Sequence, residues 1–298
     1  MESVRRARNL PARGSETVCM GRIRDYLMWR FVNRNPRFRR LLLKLTVPNR
    51  DVDVVLFGSR LRVNERQEIG YVNAAKLAQR SVVWKDESSV LATLALLLEP
   101  GDTFIDVGAN VGLYSAVIGR AARVFGQMRV YAFEPNPDTV RRLRETLRGE
   151  NVKIFDCALS NRDGELEFCE AAGSWAFGVK SDANIFQISG RTQRIAARRL
   201  DGMAISGDSI VLKIDAETHE REVVEGAEGL IRSGRVKAIY LDGYEDRSLP
   251  DYFRSMGFDL FDGREMRACE PPHSLLALNR QHLERWNRKL EYRIASAS

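Results

Sequence analysis

TFIDVGANVGLYSAVIG, residues 103–119, runs from an apolar stretch into an acid, Asp106, then into Gly108-Ala109-Asn110-Val111-Gly112 and an apolar helical pattern. A strand, a tight turn and a helix in that order place a ligand at the carboxyl end of the strand. In nicotinamide-binding folds the turn reads G-x-G-x-x-G and its helix receives a pyrophosphate. Here an acid stands just before the turn, where it would repel a pyrophosphate but could accept hydrogen bonds from an ammonium group. Gly108 allows close backbone approach, and Asn110 is among the few non-glycine residues that tolerate a left-handed backbone. The turn, with Ala109 and Gly112, therefore suits a ligand that carries an amine.

Strands and helices alternate on both sides of this stretch. Upstream, VDVVLFGSRLRVN at 52–64 alternates around Gly58-Ser59 and predicts a hairpin. A helical pattern over 87–98 stops at Glu99-Pro100-Gly101. Downstream, strands are expected at 103–107, 129–133, 152–155, 210–214, 236–241, 258–261 and 275–278. Helices are expected at 113–122, 137–147, 220–231 and 250–256, with Asn136 capping the second and Pro137 at its first position. Asp163-Gly164 separates Ala158-Leu159-Ser160 from Leu166-Glu167-Phe168 and suggests a β-ribbon, while 173–190 reads as a loop. Such alternation predicts an α/β fold, doubly wound around a mostly parallel sheet.

Glu134 ends the second of these strands, in VYAFEPN, twenty-two residues after Gly112. An acid at that distance can accept both hydroxyls of a ribose, and Pro135 holds the backbone there extended. The third strand end supplies Asp156-Cys157-Ala158, with Asp156 as an acceptor for an adenine amino group. An ammonium-binding acid beside a ribose-binding acid describes S-adenosylmethionine as the ligand.

DVGANVG, the FEPNP after the second strand, Ala158-Leu159-Ser160 with Gly164, Leu200-Asp201 and LKIDAETHEREVVEGA at 212–227 resemble the FkbM-type methyltransferases over about residues 85–262. The resemblance implies a class I methyltransferase, Rossmann-like with seven strands, that uses S-adenosylmethionine, usually on a hydroxyl of a sugar or natural product. Two departures bear on the acceptor. Thr218-His219 replaces a common Gly-Ala, and Asp242-Gly243-Tyr244 ends the fifth strand where acid-x-His is common.

Methyl transfer is an in-line displacement from a reactive sulfonium, so positioning supplies much of the rate, and a general base helps at neutral pH. Lys213, Asp215 and Glu217 alternate and project to one side for as long as the strand stays extended. Asp215 is expected nearest the cofactor and acceptor, with Glu217 or His219 as the base and Lys213 as a member of the site or a partner orienting Asp215. Asp215 and Asp242 could instead hold Mg²⁺, although two acids are a thin ligand set and no metal is expected. The fourth strand lacks the Asn/Asp-Pro-Pro-aromatic pattern of base-amine methylation, which favours oxygen. Trp175, Phe177 and Phe186 make the 173–190 loop a candidate substrate lid.

The chain has 298 residues, 44% hydrophobic and 29% charged, enough to bury a sizeable core. Its net charge of +7 is confined: residues 1–50 carry thirteen Arg and Lys against three acids, a net +10, which leaves −3 for the other 248. Four segments are expected: a basic helical arm at 1–50, a hairpin and helix at 51–100, the methyltransferase domain at 101–279 and a charged helical tail at 280–298. The arm could lie peripherally on an anionic membrane or dock a nucleic-acid or protein substrate. Nucleic acid is not the expected partner, because no aromatic platform accompanies the charge. No apolar run reaches the roughly 20 residues of a span, and the N-terminal segment has no secretory h-region. A cytoplasmic enzyme acting on a small or glycan acceptor is expected, with its four cysteines reduced.

Overall fold

The computed structural model describes residues 42–171, 177–179, 188–267, 274–282 and 288. The chain divides into two compact units, residues 1–47 and 48–298. Of the first, only residues 42–47 are described, helical over 42–46. The rest of the basic arm, and the tail beyond the 3₁₀ turn Arg280–His282 apart from residue 288, lie outside the described residues.

The second unit opens with the expected hairpin, β1 (Asp51–Leu56) and β2 (Ser59–Asn64). Phe57 and Gly58 turn it with φ of 47° and 75°. Both positive values match the type I′ turns that suit the right-handed strand twist. Helices α1 (Ile69–Leu77) and α2 (Val82–Leu97) follow. Ser81 caps α2 by accepting the Trp84 N–H at 3.4 Å. Sequence patterning foresaw only the second half of α2 and missed α1.

Next come β3 (Thr103–Val107), α3 (Leu113–Phe125), β4 (Arg129–Phe133), α4 (Pro137–Thr146) and β5 (Val152–Phe155). Asn136 caps α4, its side chain accepting the Asp138 N–H at 3.0 Å. After the flanking segment come β10 (Ile210–Ile214), α5 (Glu220–Gly226), α6 (Glu228–Arg232), β11 (Val236–Leu241), α7 (Leu249–Ser255), β12 (Phe258–Asp262) and β13 (Leu275–Asn279). The helix expected over 220–231 is two helices meeting at Ala227. Asp201 accepts the Gly229 and Leu230 N–H groups, each at 2.9 Å, and so caps α6.

The central sheet has seven strands in the order β12-β13-β11-β10-β3-β4-β5. All pair in parallel except β13, which runs antiparallel between β11 and β12. Every residue of β3, β10 and β11 is buried, as expected for strands covered on both faces. The order reverses between β10 and β3, whose carboxyl ends therefore border the crevice of a doubly wound sheet. This is the doubly wound, mostly parallel architecture that the sequence predicts. The hairpin packs Leu56, Leu61 and Val63 with Ala116 of α3 and Leu143 and Leu147 around α4. Arg142 of α4, 3% exposed, pairs with Glu68 at 2.9 Å, fixing the entry to α1.

A second sheet of four strands corrects the expected ribbon. β6 (Ala158–Leu159) and β7 (Gly164–Ala171) do not pair with each other; both border β9 (Ile188–Arg198), β6 in parallel and β7 antiparallel. The expected 173–190 loop contains the strand β8 (Phe177–Val179) and the start of β9. Trp175 and Phe186 lie outside the described residues. Among the described residues no helix is long and apolar enough to cross a membrane. Cys157 is a buried free thiol whose pKa burial, with the Asp156 charge adding, pushes up to about 11.

Candidate active site

The glycine turn joins β3 to α3. Gly108 has φ 72°, and a Cβ placed there would meet the Asp215 carbonyl oxygen at 1.9 Å. The close approach anticipated at this glycine is thus made by the neighbouring strand end. Asn110 adopts the left-handed conformation expected of it, with φ 51°. Gly112 opens α3 at φ 90°, where a Cβ would collide with Leu143 at 2.6 Å. The Gly108 and Ala109 N–H groups both donate to the Phe133 carbonyl, at 3.0 and 2.9 Å, which ties the turn to the end of β4.

Glu134 follows immediately. It is 7% exposed, and its two carboxylate oxygens accept the Asn110 N–H at 3.0 Å and the Asn136 N–H at 2.9 Å. Burial raises its pKa to about 7 against these bonds, with the Asp215 and Asp106 charges adding to the rise. Each oxygen keeps a lone pair for a further donor. Pro135 follows at the rim, half-buried.

Lys213 is the centre of charge. Only 1% of its side chain is exposed, and its Nζ lies 3.6 Å from Asp106 Oδ1, 3.7 Å from Asp215 Oδ2 and 4.6 Å from the centroid of the Tyr114 ring. Burial opposes its charge, but Asp215, Asp106, Asp242 and Glu87 together raise its pKa, so it is an ammonium at every physiological pH. Asp106 is fully buried. Its Oδ2 accepts the Ser115 hydroxyl at 2.7 Å, and Oδ1 has no hydrogen bond, the lysine being beyond that range. The expectation that Asp106 meets a ligand ammonium directly is therefore corrected. It lies beneath the site, and the partly exposed carboxylate of the pair is Asp215, 38% exposed.

The next strand end brings Asp242. Burial and the Asp215 charge raise its pKa to about 6, against Lys213 and Arg264, whose Nη2 stands 4.0 Å from it. Two residues that sequence reasoning missed complete the group. Glu87 of α2 accepts a hydrogen bond from the Tyr114 hydroxyl. Burial pushes its pKa up to about 7, the charges of Asp242 and Asp215 adding while Tyr114 and Lys213 oppose. Tyr71 of α1 lies against Glu87, and its hydroxyl pKa is raised by burial and by the Glu87 charge. Both come from helices whose sequences read as packing surface.

Beyond Asp215 the chain does not stay extended. β10 ends at Ile214, and Glu217 and Thr218 take left-handed φ of 48° and 77°. The premise that Lys213, Asp215 and Glu217 project together along one strand is corrected. Glu217 still lies within electrostatic reach of Asp215, Glu220 and Asp242, exposed at the rim. Glu220, a third residue not foreseen, accepts the Ala216 and Thr218 N–H groups at 3.3 and 3.1 Å and holds this turn.

His219 faces elsewhere. It is buried, with Nε2 3.0 Å from Ser160 Oγ and Nδ1 3.3 Å from Glu222 Oε2. Its pKa is lowered by burial, and the charges acting on it are Glu222 and Arg162. The structure thus joins it to β6 rather than to the Lys213 group, which corrects its expected role as a base. Asp156 is 69% exposed and pairs with Arg144 at 3.2 Å, while Ala158 is buried at the start of β6. Among the described residues no three His, Cys, Asp or Glu side chains converge as a metal-ligand set.

The sequence profile of the Methyltransferase FkbM domain matches residues 106–260, just over half of the chain. Over 176 residues the chain is 31% identical to the hexuronic acid methyltransferase AglP of Haloferax volcanii, covering 54% of this chain and 67% of that protein. Over 213 residues it is 27% identical to the AMB antimetabolite synthetase AmbE of Pseudomonas aeruginosa, covering 55% of this chain and 10% of that much longer protein. Among solved structures, precorrin-6y C5,15-methyltransferase of Geobacter metallireducens aligns with TM-score 0.36 and 16% identity over 64% of this chain and 87% of that one. The TehB-like SAM-dependent methyltransferase of Corynebacterium glutamicum aligns with TM-score 0.35 and 11% identity over 69% and 96%. Likeness at those scores is slight, so the assignment rests on strand order and the family match.

Proposed function

Because the chain belongs to the FkbM methyltransferase-domain family, we propose that it transfers a methyl group from S-adenosylmethionine to a hydroxyl of a sugar, glycan or glycosylated natural product. The chain is a methyltransferase by its family, and that family and the strand order support S-adenosylmethionine as the donor. The observation that carries the reading is Lys213, buried between Asp106 and Asp215 at the point where strand order reverses, directly beside the glycine turn that Glu134 braces. The 31% identity to a protein named as a hexuronic acid methyltransferase supports a sugar acceptor.

The residues present fit this cofactor. Glu134 has acceptor capacity at the rim, Asp215 is partly exposed beside the glycine turn, and the acids around Lys213 outnumber it, which suits a cationic ligand. Glu134 would hold the ribose, residues 108–112 and Asp215 the amino-acid end, with Asp106 fixing Lys213 below. Asp156 would reach the adenine amino group. Its pair with Arg144 is exposed and worth little, so it does not bar that contact.

Bound S-adenosylmethionine supplies an electrophilic methyl group. On transfer of that group the acceptor hydroxyl would give up its proton to a residue of this chain. We assign that proton to Asp242, which follows β11 with its N–H bonded to the Ile214 carbonyl at the end of β10, and whose pKa burial and the Asp215 charge raise to about 6. Lys213 orients Asp215, its Nζ lying 3.7 Å from Oδ2. The basic arm, residues 1–50, would serve as a peripheral contact to an anionic surface.

Labelled cofactor incubated with sugar and glycan fractions tests the reading, with Asp242→Asn alongside. Label in a base-stable methyl ether is expected, with turnover reduced about 100-fold in the variant. Label found only in protein or nucleic acid, and lost when residues 1–50 are deleted, would replace this reading with arm-guided methylation of a polymer.

A further inference from the structure

Glu87 and Tyr71 lie upstream of the stretch that the family profile matches, yet both reach the Lys213 group. The rim acids differ in what compensates them. Asp106 and Asp215 share the Lys213 ammonium at 3.6 and 3.7 Å. Asp242 has the Arg264 guanidinium at 4.0 Å. Glu87 is held by hydroxyls, accepting from Tyr114 and facing Tyr71. A hydroxyl donor stabilises a carboxylate without cancelling its charge, so Glu87 presents a negative charge to the site: among the described residues it forms no ion pair, and Lys213, shared by Asp106 and Asp215, offsets it only in part.

The methyl donor and its spent product share adenosine and the amino-acid tail and differ in one methyl and one positive charge. Contacts to ribose, adenine or amine cannot separate them. We infer that Glu87, held by Tyr114, makes this site prefer the cationic S-adenosylmethionine over neutral S-adenosylhomocysteine, and so hastens product release. The inference rests on the methyl-donor reading and adds a residue whose task is to sense the sulfonium charge. Other groups that face or act on Glu87 are Tyr71 from α1, Lys213 and Asp215 from β10, and Asp242 from β11. Burial raises the Glu87 pKa to about 7, so its charge, and with it the preference, should grow between pH 6 and 8.

Calorimetric titration of the full chain with each nucleoside at pH 6 and pH 8 tests this without an acceptor. The wild type should favour S-adenosylmethionine more strongly at pH 8. Glu87→Gln keeps the hydrogen bond from Tyr114 and loses the charge. It should cut the preference at pH 8 roughly tenfold, through weaker S-adenosylmethionine binding, and flatten its pH dependence. Glu87→Asp should recover part of both effects. A folded Glu87→Gln chain with the wild-type preference at pH 8 overturns the inference, as does a wild type whose preference does not change with pH. A wild type that binds neither nucleoside overturns the methyl-donor reading and this inference with it.

Discussion

Two lysines, Lys213 on β10 and Lys237 on β11, are almost completely buried on neighbouring strands, but at opposite ends of the sheet. At the amino end, Lys237 makes a close ion pair with Asp102, and Glu99 stands 3.7 Å away. Asp102 also accepts the Glu99 N–H at 2.7 Å and so fastens the turn before β3. At the carboxyl end, Lys213 has no partner nearer than 3.6 Å among the described residues and is surrounded by more acid than it can neutralise. The first arrangement is a closed structural pair. The second is loose and negative, with one carboxylate oxygen, Asp106 Oδ1, lacking a hydrogen bond. One fold thus uses the same residue type to lock one end of its sheet and to organise the other for a ligand.

The contrast can be broken most severely at Gly108→Ala. The added carbon would lie 1.9 Å from the Asp215 backbone oxygen, in a left-handed conformation. Chemical denaturation should show a loss of more than about 4 kcal/mol, with nucleoside binding abolished. Next in size, Lys237→Met strands Asp102 in the interior and should cost roughly 3–5 kcal/mol, leaving activity per folded molecule intact. Lys213→Met should cost less stability, because its neighbours can take up protons, yet lower turnover about 100-fold. Equal behaviour of the two variants would erase the distinction.

The smallest expected effect is the response to pH. Glu87, Glu134 and Glu220 are raised to about 7 and Asp242 to about 6, chiefly by burial. Unfolded carboxylates titrate near 4, so between about pH 4.5 and 7 the folded chain holds more protons than the unfolded one. Its stability should therefore fall as pH rises across that window and level off above it. His219, lowered by burial, works in the opposite direction below about pH 6.5. Thermal melts of the ligand-free protein that sharpen steadily toward neutral pH would contradict the acid-rich rim.

Much of this architecture was legible because buried parallel strands are short apolar runs closed by turns. TFIDV, RVYAF, VKIF, IVLKI and VKAIYL coincide with β3, β4, β5, β10 and β11. β9 escaped because Thr192, Arg194, Ala196 and Arg198 give it an exposed polar or small face, with Ile195 and Ala197 buried between them. The ribbon was mispaired because its true partner arrives more than twenty residues later, beyond what a local turn signal can report. In the site, Asp106, Glu134, Lys213 and Asp215 were visible as acids and a base at strand ends. Glu87 and Tyr71 were not, since only tertiary packing turns a helix's partly polar face toward a distant strand. Glu217 and His219 were misplaced because two successive left-handed residues break a strand pattern that the sequence itself does not interrupt.

The single carboxylate of Glu134 grips an amide from each of two turns, at Asn110 and at Asn136. Those turns launch different helices, so the starts of α3 and α4 share one fastening. Hydrogen–deuterium exchange at the two amides should slow and quicken in concert. Any ligand that draws on this carboxylate would then be registered along two helices at once.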